Sequence, residues 1–175
     1  GKSHIAVHSM KDIPARVNDG FLISSIMERE DPCDVFISNS YKSIEEISSG
    51  TIGSSSPRRQ AMIKSLGKNI NVVEMRGNIN TRLKKLKNSN IDGIILAKAG
   101  LRRMEMDSLI TQNLSVESFV PSPGQGVLCI ECLSQHSEIM NKIKKIVHLN
   151  TEICVSAERI FAAQMDGDCM SPIGA

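Results

Sequence analysis

Arginines stand where the sequence predicts that a strand turns into a helix. Arg58 and Arg59 follow Pro57, which suits the first position of a helix because its missing N–H needs no partner there. The first turn of a helix carries partial positive charge, so a cation there costs up to about 1 kcal/mol. A bound anion would offset that cost, since helix N-termini and guanidinium groups both favour carboxylate or phosphate. The pattern predicts an anion site.

The same arrangement recurs twice further along the chain. A strand predicted over residues 71–75 leads to Arg76 and to a helix carrying Arg82, and a strand predicted over residues 91–97 leads to Arg103. In α/β proteins such turns gather at the carboxyl edge of the sheet, where ligands usually bind. Each turn alone is compatible with a solvated basic surface, whereas three in succession favour a multivalent anion site.

Positive charge is concentrated in this region. Between Ser56 and Arg103 there are twelve Lys or Arg and two acids, a local net charge of +10, whereas the remaining residues carry −8. The region contains no Phe, Tyr or Trp on which single-stranded bases could stack. The composition therefore disfavours a protein that binds single-stranded nucleic acid. It does not exclude binding of a duplex, because that needs no aromatic residues.

A nucleotide is also a poor candidate for the anion. The pair Gly67-Lys68 is not part of a P-loop, because it lacks both the upstream Gly and the following Ser or Thr, and no Gly-x-Gly-x-x-Gly motif follows a predicted strand. A small organic polycarboxylate remains the favoured class of ligand.

The composition is that of a globular protein. The chain has 175 residues, of which 41% are hydrophobic and 23% charged, enough for one or two compact domains. No stretch approaches the ~18 uncharged apolar residues of a membrane span, so we expect no membrane insertion. The five cysteines are odd in number and scattered, which indicates a reducing compartment. Because Gly1 has no Met before it and residues 4–8 already have the pattern of a strand, we expect a fragment of a longer protein.

The elements that must position the cations alternate between strands and helices. Strands are predicted over residues 5–8, 21–26, 35–38, 51–53, 71–75, 91–97 and 127–132, and helices over residues 43–49, 57–66, 79–88, 100–106, 137–148 and 151–165. Several strands are rich in Ile and Val without alternation, which is typical of strands covered on both faces. The pattern predicts an α/β fold with largely parallel sheets.

The helix predicted over residues 43–49 obeys the dipole rule. Ser43 and Glu46 form a capping-box pattern, and Gly50 stands at the C-terminal end. The arginines thus depart from a rule that the chain follows elsewhere. The three lysines late in the helix predicted over residues 79–88 suit the dipole, and we expect them to form a solvated face.

Two segments suit crossings between lobes. Residues 28–32 are charged and end in Pro, and residues 120–126 are rich in Pro and Gly. A segment entered and left at these points would form its own lobe, roughly residues 32–120. On composition alone, two surface turns explain the same segments equally well.

Seven motifs resemble, in their order along the chain, those of the porphobilinogen deaminase (hydroxymethylbilane synthase) family. They are His8-Ser9-Met10-Lys11-Asp12, Glu28-Arg29-Glu30-Asp31-Pro32, Ser55-Ser56-Pro57-Arg58-Arg59-Gln60, Arg76-Gly77-Asn78 with Thr81-Arg82, Ala99-Gly100-Leu101-Arg102-Arg103, Gly124-Gln125-Gly126, and Asp166-Gly167-Asp168-Cys169 before Pro172-Ile173. One such match would be weak, but seven in register are specific to the family.

The resemblance implies an architecture of two lobes like those of periplasmic binding proteins, with mixed, largely parallel sheets, and the start of a third, α+β domain. Residues 1–28 and 121–148 would be parts of domain 1, residues 29–120 domain 2, and residues 149–175 the start of domain 3. It also implies a transferase that joins four porphobilinogen molecules into the linear tetrapyrrole hydroxymethylbilane with release of ammonia, in heme biosynthesis. The resemblance further implies a cytoplasmic monomer, an organellar location remaining open, with neither nucleic acid nor membrane as a partner.

The resemblance also implies the site residues. Asp12 would be the catalytic carboxylate that assists loss of ammonia and stabilises the cation formed; without the resemblance, pairing with Lys11 or capping of a turn is the favoured role. Cys169 would hold a dipyrromethane cofactor through a thioether. The residues implied to bind the cofactor are Lys11, Ser9, Ser56, Arg58, Arg59, Arg76, Asn78, Arg82 and Arg103, and those implied to bind substrate are Arg76, Arg82, Arg103 and Gln125.

Cys129 and Cys132 have the spacing of a zinc or redox motif. Residues three apart on a strand point to opposite faces, so the two thiols could not chelate together, and we expect no metal. Two other functions stay open. A non-catalytic solute-binding module would give Asp12 and Cys169 no joint task, and a basic nucleic-acid binder would have strongly salt-dependent affinity.

Overall fold

Residues 3–14, 17–165 and 171–175 are described by a computed structural model of the chain, with only the backbone of Ser24 and Ser25. They divide into two compact units. The first contains the described residues up to Glu30 and those from Ser122 to Met165, with Ala175, and the second contains residues 31–121 and 171–174. How these units correspond to the domains of a longer protein stays a prediction.

Strands and helices alternate along most of the chain. The strands are β1 (Ile5–Ser9), β2 (Phe21–Ile26), β3 (Asp34–Ile37), β4 (Ser49–Gly53), β5 (Asn69–Val73), β6 (Gly93–Ala97), β7 (Gln112–Asn113) and β8 (Leu128–Leu133). The helices are α1 (Pro57–Ser65), α2 (Ile79–Asn88), α3 (Lys98–Arg102), α4 (Ser137–Ile143) and α5 (Leu149–Gln164), with 3-10 turns at Met10–Asp12, Ile44–Glu46, Asp107–Leu109 and Lys144–Ile146.

The first unit is built on an antiparallel sheet of order β1-β8-β2. Its core contains Ile26 of β2, Cys129 of β8 and Val155 of α5. Met10 and Val127, which lie next to strands, complete it. The backbone N–H of His148, just before α5, donates to the carbonyl of Ile26 in β2 at 2.9 Å. The helix expected to open a third domain therefore packs against this sheet.

The second unit is built on a mixed sheet of order β5-β4-β6-β3-β7. Strand β4 pairs in parallel with β5 and β6, whereas β3 pairs antiparallel with β6 and β7. The α/β class with mixed sheets is thereby confirmed. The parallel pairings lie in the β5-β4-β6 part of this sheet, and the short β7 was not anticipated.

Both faces of the second sheet are covered, as its uninterrupted Ile and Val runs predicted. Successive residues of β3 point to opposite faces, so Val35 and Ile37 enter a core with α2 and α3, whereas Phe36 enters a core with α1. All four residues of β3 are buried. Gly93 permits this packing, because a Cβ there would lie 2.2 Å from the Phe36 ring.

Two predicted helices were wrong in detail. Residues 44–46 form a 3-10 turn in which the Ser43 side chain makes no capping bond, and Gly50 lies inside β4. Helix α3 begins at Lys98 instead of Gly100, so Arg102 lies in its last turn, where a cation suits the dipole. None of the helices within the described ranges has the length and hydropathy to cross a membrane.

Candidate functional site

Three strand-to-helix turns lie side by side in the second unit. Because β5, β4 and β6 are parallel neighbours, their carboxyl ends share one edge of the sheet. Helix α1 follows β4 at this edge, α2 follows β5, and α3 follows β6. This edge carries Arg58 and Arg59 at the start of α1, and Arg76 and Arg82 around the start of α2. The cations of two of the three predicted groups are thus brought together.

Arg58 and Arg59 bind an anion that belongs to the chain itself. Asp34, the first residue of β3, accepts hydrogen bonds from Arg58 Nη2 at 2.6 Å and from Arg59 Nη2 at 2.7 Å. Arg58 Nη1 also donates to the carbonyl of Val120 at 2.6 Å, and Arg59 Nη1 to that of Ile95 at 3.2 Å. The two arginines are 3% and 5% exposed and Asp34 is fully buried, so this cluster is a part of the core.

Charge in this cluster does not balance, because one carboxylate faces two guanidinium groups. Burial on its own would raise the pKa of Asp34, but Arg59 and Arg58 outweigh it and hold that pKa below its usual value. Burial lowers the pKa of Arg58, with Asp34 opposing the shift and Arg59 adding to it. Among the described residues, the cluster holds two guanidinium groups and one carboxylate, which gives these three side chains a net charge of +1.

Arg82 extends this excess toward the surface. Its Nε donates to the carbonyl of Gly77 at 2.8 Å, and the side chain is half-buried. Burial lowers the pKa of Arg82, and the nearby charge of Arg59 lowers it further. The two guanidinium groups are therefore close enough to repel each other, a repulsion that a second anion would relieve.

Arg76, Ser56 and Asn78, the other predicted site residues at the first two turns, each form a different kind of contact. Arg76 is exposed and pairs with Glu74 through Nη2 at 2.8 Å, a surface pair of little energetic weight. Ser56 caps α1, its hydroxyl accepting from the Arg59 backbone N–H at 3.4 Å. Asn78 caps α2, its Oδ1 accepting from the Thr81 backbone N–H at 2.9 Å.

The third turn presents a different cation from the one predicted. Lys98 opens α3, and its Nζ lies 2.7 Å from the carboxylate of Asp31. Burial alone would raise the pKa of Asp31, but hydrogen bonds from Lys98 and Cys33, together with the charge of Lys98, outweigh it and bring the pKa to about 2. Arg103 is exposed and follows the C-terminal end of α3. The sequence was wrong in placing Arg103 at a helix start.

Asp12 lies in the first unit, on the 3-10 turn that follows β1. The buried side chain of Met10 and a 2.9 Å hydrogen bond from its N–H to the Val127 carbonyl anchor the turn. Lys11 is half-buried and Asp12 exposed, and Ser9 is half-buried without capping the turn. No ion pair or hydrogen bond joins the Asp12 carboxylate to any residue in the described part of the chain.

A network of hydrogen bonds and one ion pair holds the segment around Gln125, which packs against the turn at Met10. Gln125 is 1% exposed, and its carbonyl accepts from Arg29 Nε at 3.0 Å. Arg29 pairs with Glu158 of α5, which also accepts from the Gly124 N–H at 2.8 Å. Gly124 has φ +72°, and a Cβ there would lie 2.8 Å from Met10 Cγ. Gln125, expected to contact substrate, is thus a buried residue.

The cysteines occupy three kinds of position. Cys169 lies outside the described residues. Cys129 and Cys132 both lie in β8, three apart and buried, and burial raises the pKa of Cys129 to about 11. Cys154 is exposed on α5.

Asp34 is the site residue that sequence reasoning missed. The predicted strand began at Val35, one residue too late, and therefore did not include Asp34. The available signal was its place directly before the apolar run Val35-Phe36-Ile37, because an acid that is buried with such a run needs a cationic partner.

A family model and curated relatives match most of this chain. Residues 1–141 match the family model described as "Porphobilinogen deaminase, dipyromethane cofactor binding domain". Two curated relatives named porphobilinogen deaminase, from Clostridium botulinum (strain 657 / Type Ba4) and from Francisella philomiragia subsp. philomiragia, are each 46% identical over 99% of this chain. The chain covers 60% of the first relative and 58% of the second.

A solved structure supports the fold. The crystal structure of the methionine-binding protein MetQ superposes with a TM-score of 0.50 at 10% identity, covering 84% of this chain and 65% of that one. This likeness concerns the fold of a periplasmic binding protein alone. The extent of the family match and the identity to its curated members lead to one conclusion: the chain belongs to the porphobilinogen deaminase family.

Proposed function

We propose that the protein containing this chain joins four porphobilinogen molecules into the linear tetrapyrrole hydroxymethylbilane and releases ammonia. The observation that carries the proposal is the cationic edge of the second unit, where Arg58 and Arg59 share the buried carboxylate of Asp34 and Arg82 lies near Arg59. Porphobilinogen carries acetate and propionate groups, so a chain of pyrroles gains two carboxylates with each unit. An edge with surplus guanidinium groups suits such a ligand.

The arginines divide between two tasks. Arg58 and Arg59 are fixed by Asp34 and by backbone carbonyls, so they supply a preorganised positive field. Arg82 and Arg76 are nearer to solvent and are the ones free to exchange protein contacts for ligand carboxylates. Arg103, exposed after α3, is proposed to bind substrate as well. Ser56 and Asn78 cap the starts of α1 and α2, and both are proposed to contact the cofactor as well.

Asp12 is proposed to act at the reacting carbon. Loss of ammonia from the aminomethyl group breaks a C–N bond and leaves a cation conjugated with the pyrrole ring. A carboxylate close to that cation stabilises it and assists the proton transfers of the step. The exposed Asp12 on an anchored turn suits this role, because its charge is not consumed by a partner in the described residues. Lys11 and Ser9, beside it, are proposed cofactor contacts.

A dipyrromethane cofactor fits the residues present. Its acidic side chains suit the guanidinium groups of Arg76, Arg82 and Arg103, while Arg58 and Arg59, held by Asp34, are proposed to act on the cofactor through the positive charge they add to the same edge. When bound, the group supplies the pyrrole carbon to which substrate units are joined. Cys169 is proposed to hold it through a thioether. Gln125 is proposed to shape the backbone near Asp12, since its side chain is enclosed.

Covalent pyrrole on the complete protein tests the proposal. The protein, purified from cells that make porphobilinogen, is denatured and treated with an acidic aldehyde reagent that colours pyrroles. We expect colour and a matching mass increase in the wild type and in Cys154→Ser, whose exposed cysteine is a matched control, and neither in Cys169→Ser. Unmodified wild-type protein that forms no tetrapyrrole from porphobilinogen would overturn the proposal. A monomeric, cytoplasmic protein without nucleic-acid partners is part of the same prediction.

A further inference from the structure

A groove in the second unit lies outside all the residues assigned above. It has a volume of about 830 Å³ and runs between α2 and residues 108–111, with the end of β3 beneath it. Small-molecule sites in proteins generally have volumes of about 300–1,000 Å³, so this groove has the size of a ligand site.

The floor of the groove is apolar. Ile37 and Leu86 are each 4% exposed and form its base, and the half-buried Leu83 and Ile110 rise along its sides. These side chains are held by the core between the sheet and α2, so the floor is preformed.

One wall of the groove is cationic. Asn80, Leu83, Lys84 and Lys87 recur at helical spacing and therefore share one face of α2. Both lysines are exposed, and within the described ranges neither forms an ion pair or a hydrogen bond with another residue. None of the described residues that line the groove is an Asp or Glu, while Asn39, Asn80 and Ser108 add neutral polar groups at the rim.

We propose that this groove binds an organic anion with an apolar body about the size of two rings. The body lies on the aliphatic floor, where burial of apolar surface stabilises it, and a carboxylate or sulfonate meets Lys84 and Lys87. A neutral ligand would leave the two ammonium groups without a partner. A highly charged ligand would leave the floor uncovered. The proposal does not depend on the function of the cationic edge.

Photolabelling of the complete protein with benzophenone-4-carboxylate tests this site. The carboxylate is the feature under test, and the benzophenone marks whatever it touches on irradiation. We expect adducts in peptides containing residues 80–87 or 108–111. The double variant Lys84→Glu/Lys87→Glu should lower labelling there by roughly tenfold or more, since two attractions become two repulsions.

Two controls separate this site from general binding. Lys64→Glu changes an exposed lysine on α1, outside the groove, and should leave labelling unchanged. The neutral 4-(hydroxymethyl)benzophenone should label the groove far less than the acid. Equal labelling by the neutral compound, equal labelling of the double variant, or adducts confined to the exposed apolar residues of α5 would each overturn the proposal. Circular dichroism verifies that the variants are folded.

Discussion

Asp34 Oδ2 lies 2.6 Å from Arg58 Nη2 at a place where neither side chain reaches solvent. The other oxygen of the same carboxylate binds Arg59 at 2.7 Å. The anion that the start of α1 requires is thus supplied by β3, and the pair of arginines is locked before any ligand arrives. The consequences for stability can be measured separately from activity.

Replacing Asp34 by Asn should destabilise the protein strongly. The amide keeps the shape but removes the charge that two buried guanidinium groups share, and leaving such charges uncompensated costs about 3–5 kcal/mol. Urea unfolding measures the loss. Asp107→Asn is the control, because its carboxylate lies 3.7 Å from Arg102 Nε at the surface and should contribute about 1 kcal/mol or less. Similar losses in the two variants would contradict a core role for Asp34.

Stability should depend on pH through the same carboxylate. The pKa of Asp34 is lower in the folded protein than its ordinary value of about 3.9, so the ionised form stabilises the fold above that pH. The contribution is lost as pH falls through the lower, folded pKa. Urea midpoints between about pH 5 and pH 2.5 should therefore fall more steeply for the wild type than for Asp34→Asn. Parallel curves would show that Asp34 titrates alike in both states.

Glu158→Gln should weaken the contacts of Arg29 and Gly124 that hold the segment packed against the turn of Asp12. Glu158 pairs with Arg29 and accepts from the Gly124 N–H at 2.8 Å, so loss of its charge weakens two contacts. We expect a loss of about 1–3 kcal/mol in urea unfolding, together with a lower kcat. Glu28→Gln, at an exposed position in the same unit, should leave both unchanged. A normal kcat in Glu158→Gln would show that this network does not position the turn.

Asp12→Asn should remove activity without loss of fold. The exposed side chain contributes little to packing, but its charge is proposed to stabilise the cation formed when ammonia leaves, an effect of about 100-fold or more in kcat. The readouts are tetrapyrrole formation by the complete enzyme and the urea midpoint. Asp19→Asn, an exposed acid in the same unit, should behave as wild type. Turnover within a few-fold of wild type would remove Asp12 from the reaction.

Gly93→Ala should destabilise the second unit. The added Cβ would lie 2.2 Å from Phe36 Cε2, in a core covered on both sides, and overpacking of this kind typically costs about 1–3 kcal/mol. Gly100→Ala is the comparison, since its Cβ would meet only the flexible end of Ile79 and alanine favours the helix. The thermal midpoint of Gly93→Ala should therefore be lower than that of Gly100→Ala.

Local chemistry allowed much of the architecture to be predicted. The bounds of β2 and α2 agree with those expected, and α1 begins at Pro57 as its missing N–H predicts. The uninterrupted apolar runs of β3 and β6 correctly indicated strands covered on both faces. These features depend on residues close together in the chain, so their causes are visible in the sequence.

The partners of the cations were decided only by the tertiary structure. Asp34 precedes Arg58 by 24 residues, and it reaches the start of α1 only because β3 enters the sheet antiparallel to β6. Asp31 likewise meets Lys98 across 67 residues, which stabilises a helix start two residues earlier than expected. The sequence determined that positive charge gathers at strand-to-helix turns. Which of those charges are neutralised internally depends on pairing between distant strands, which local pattern does not encode.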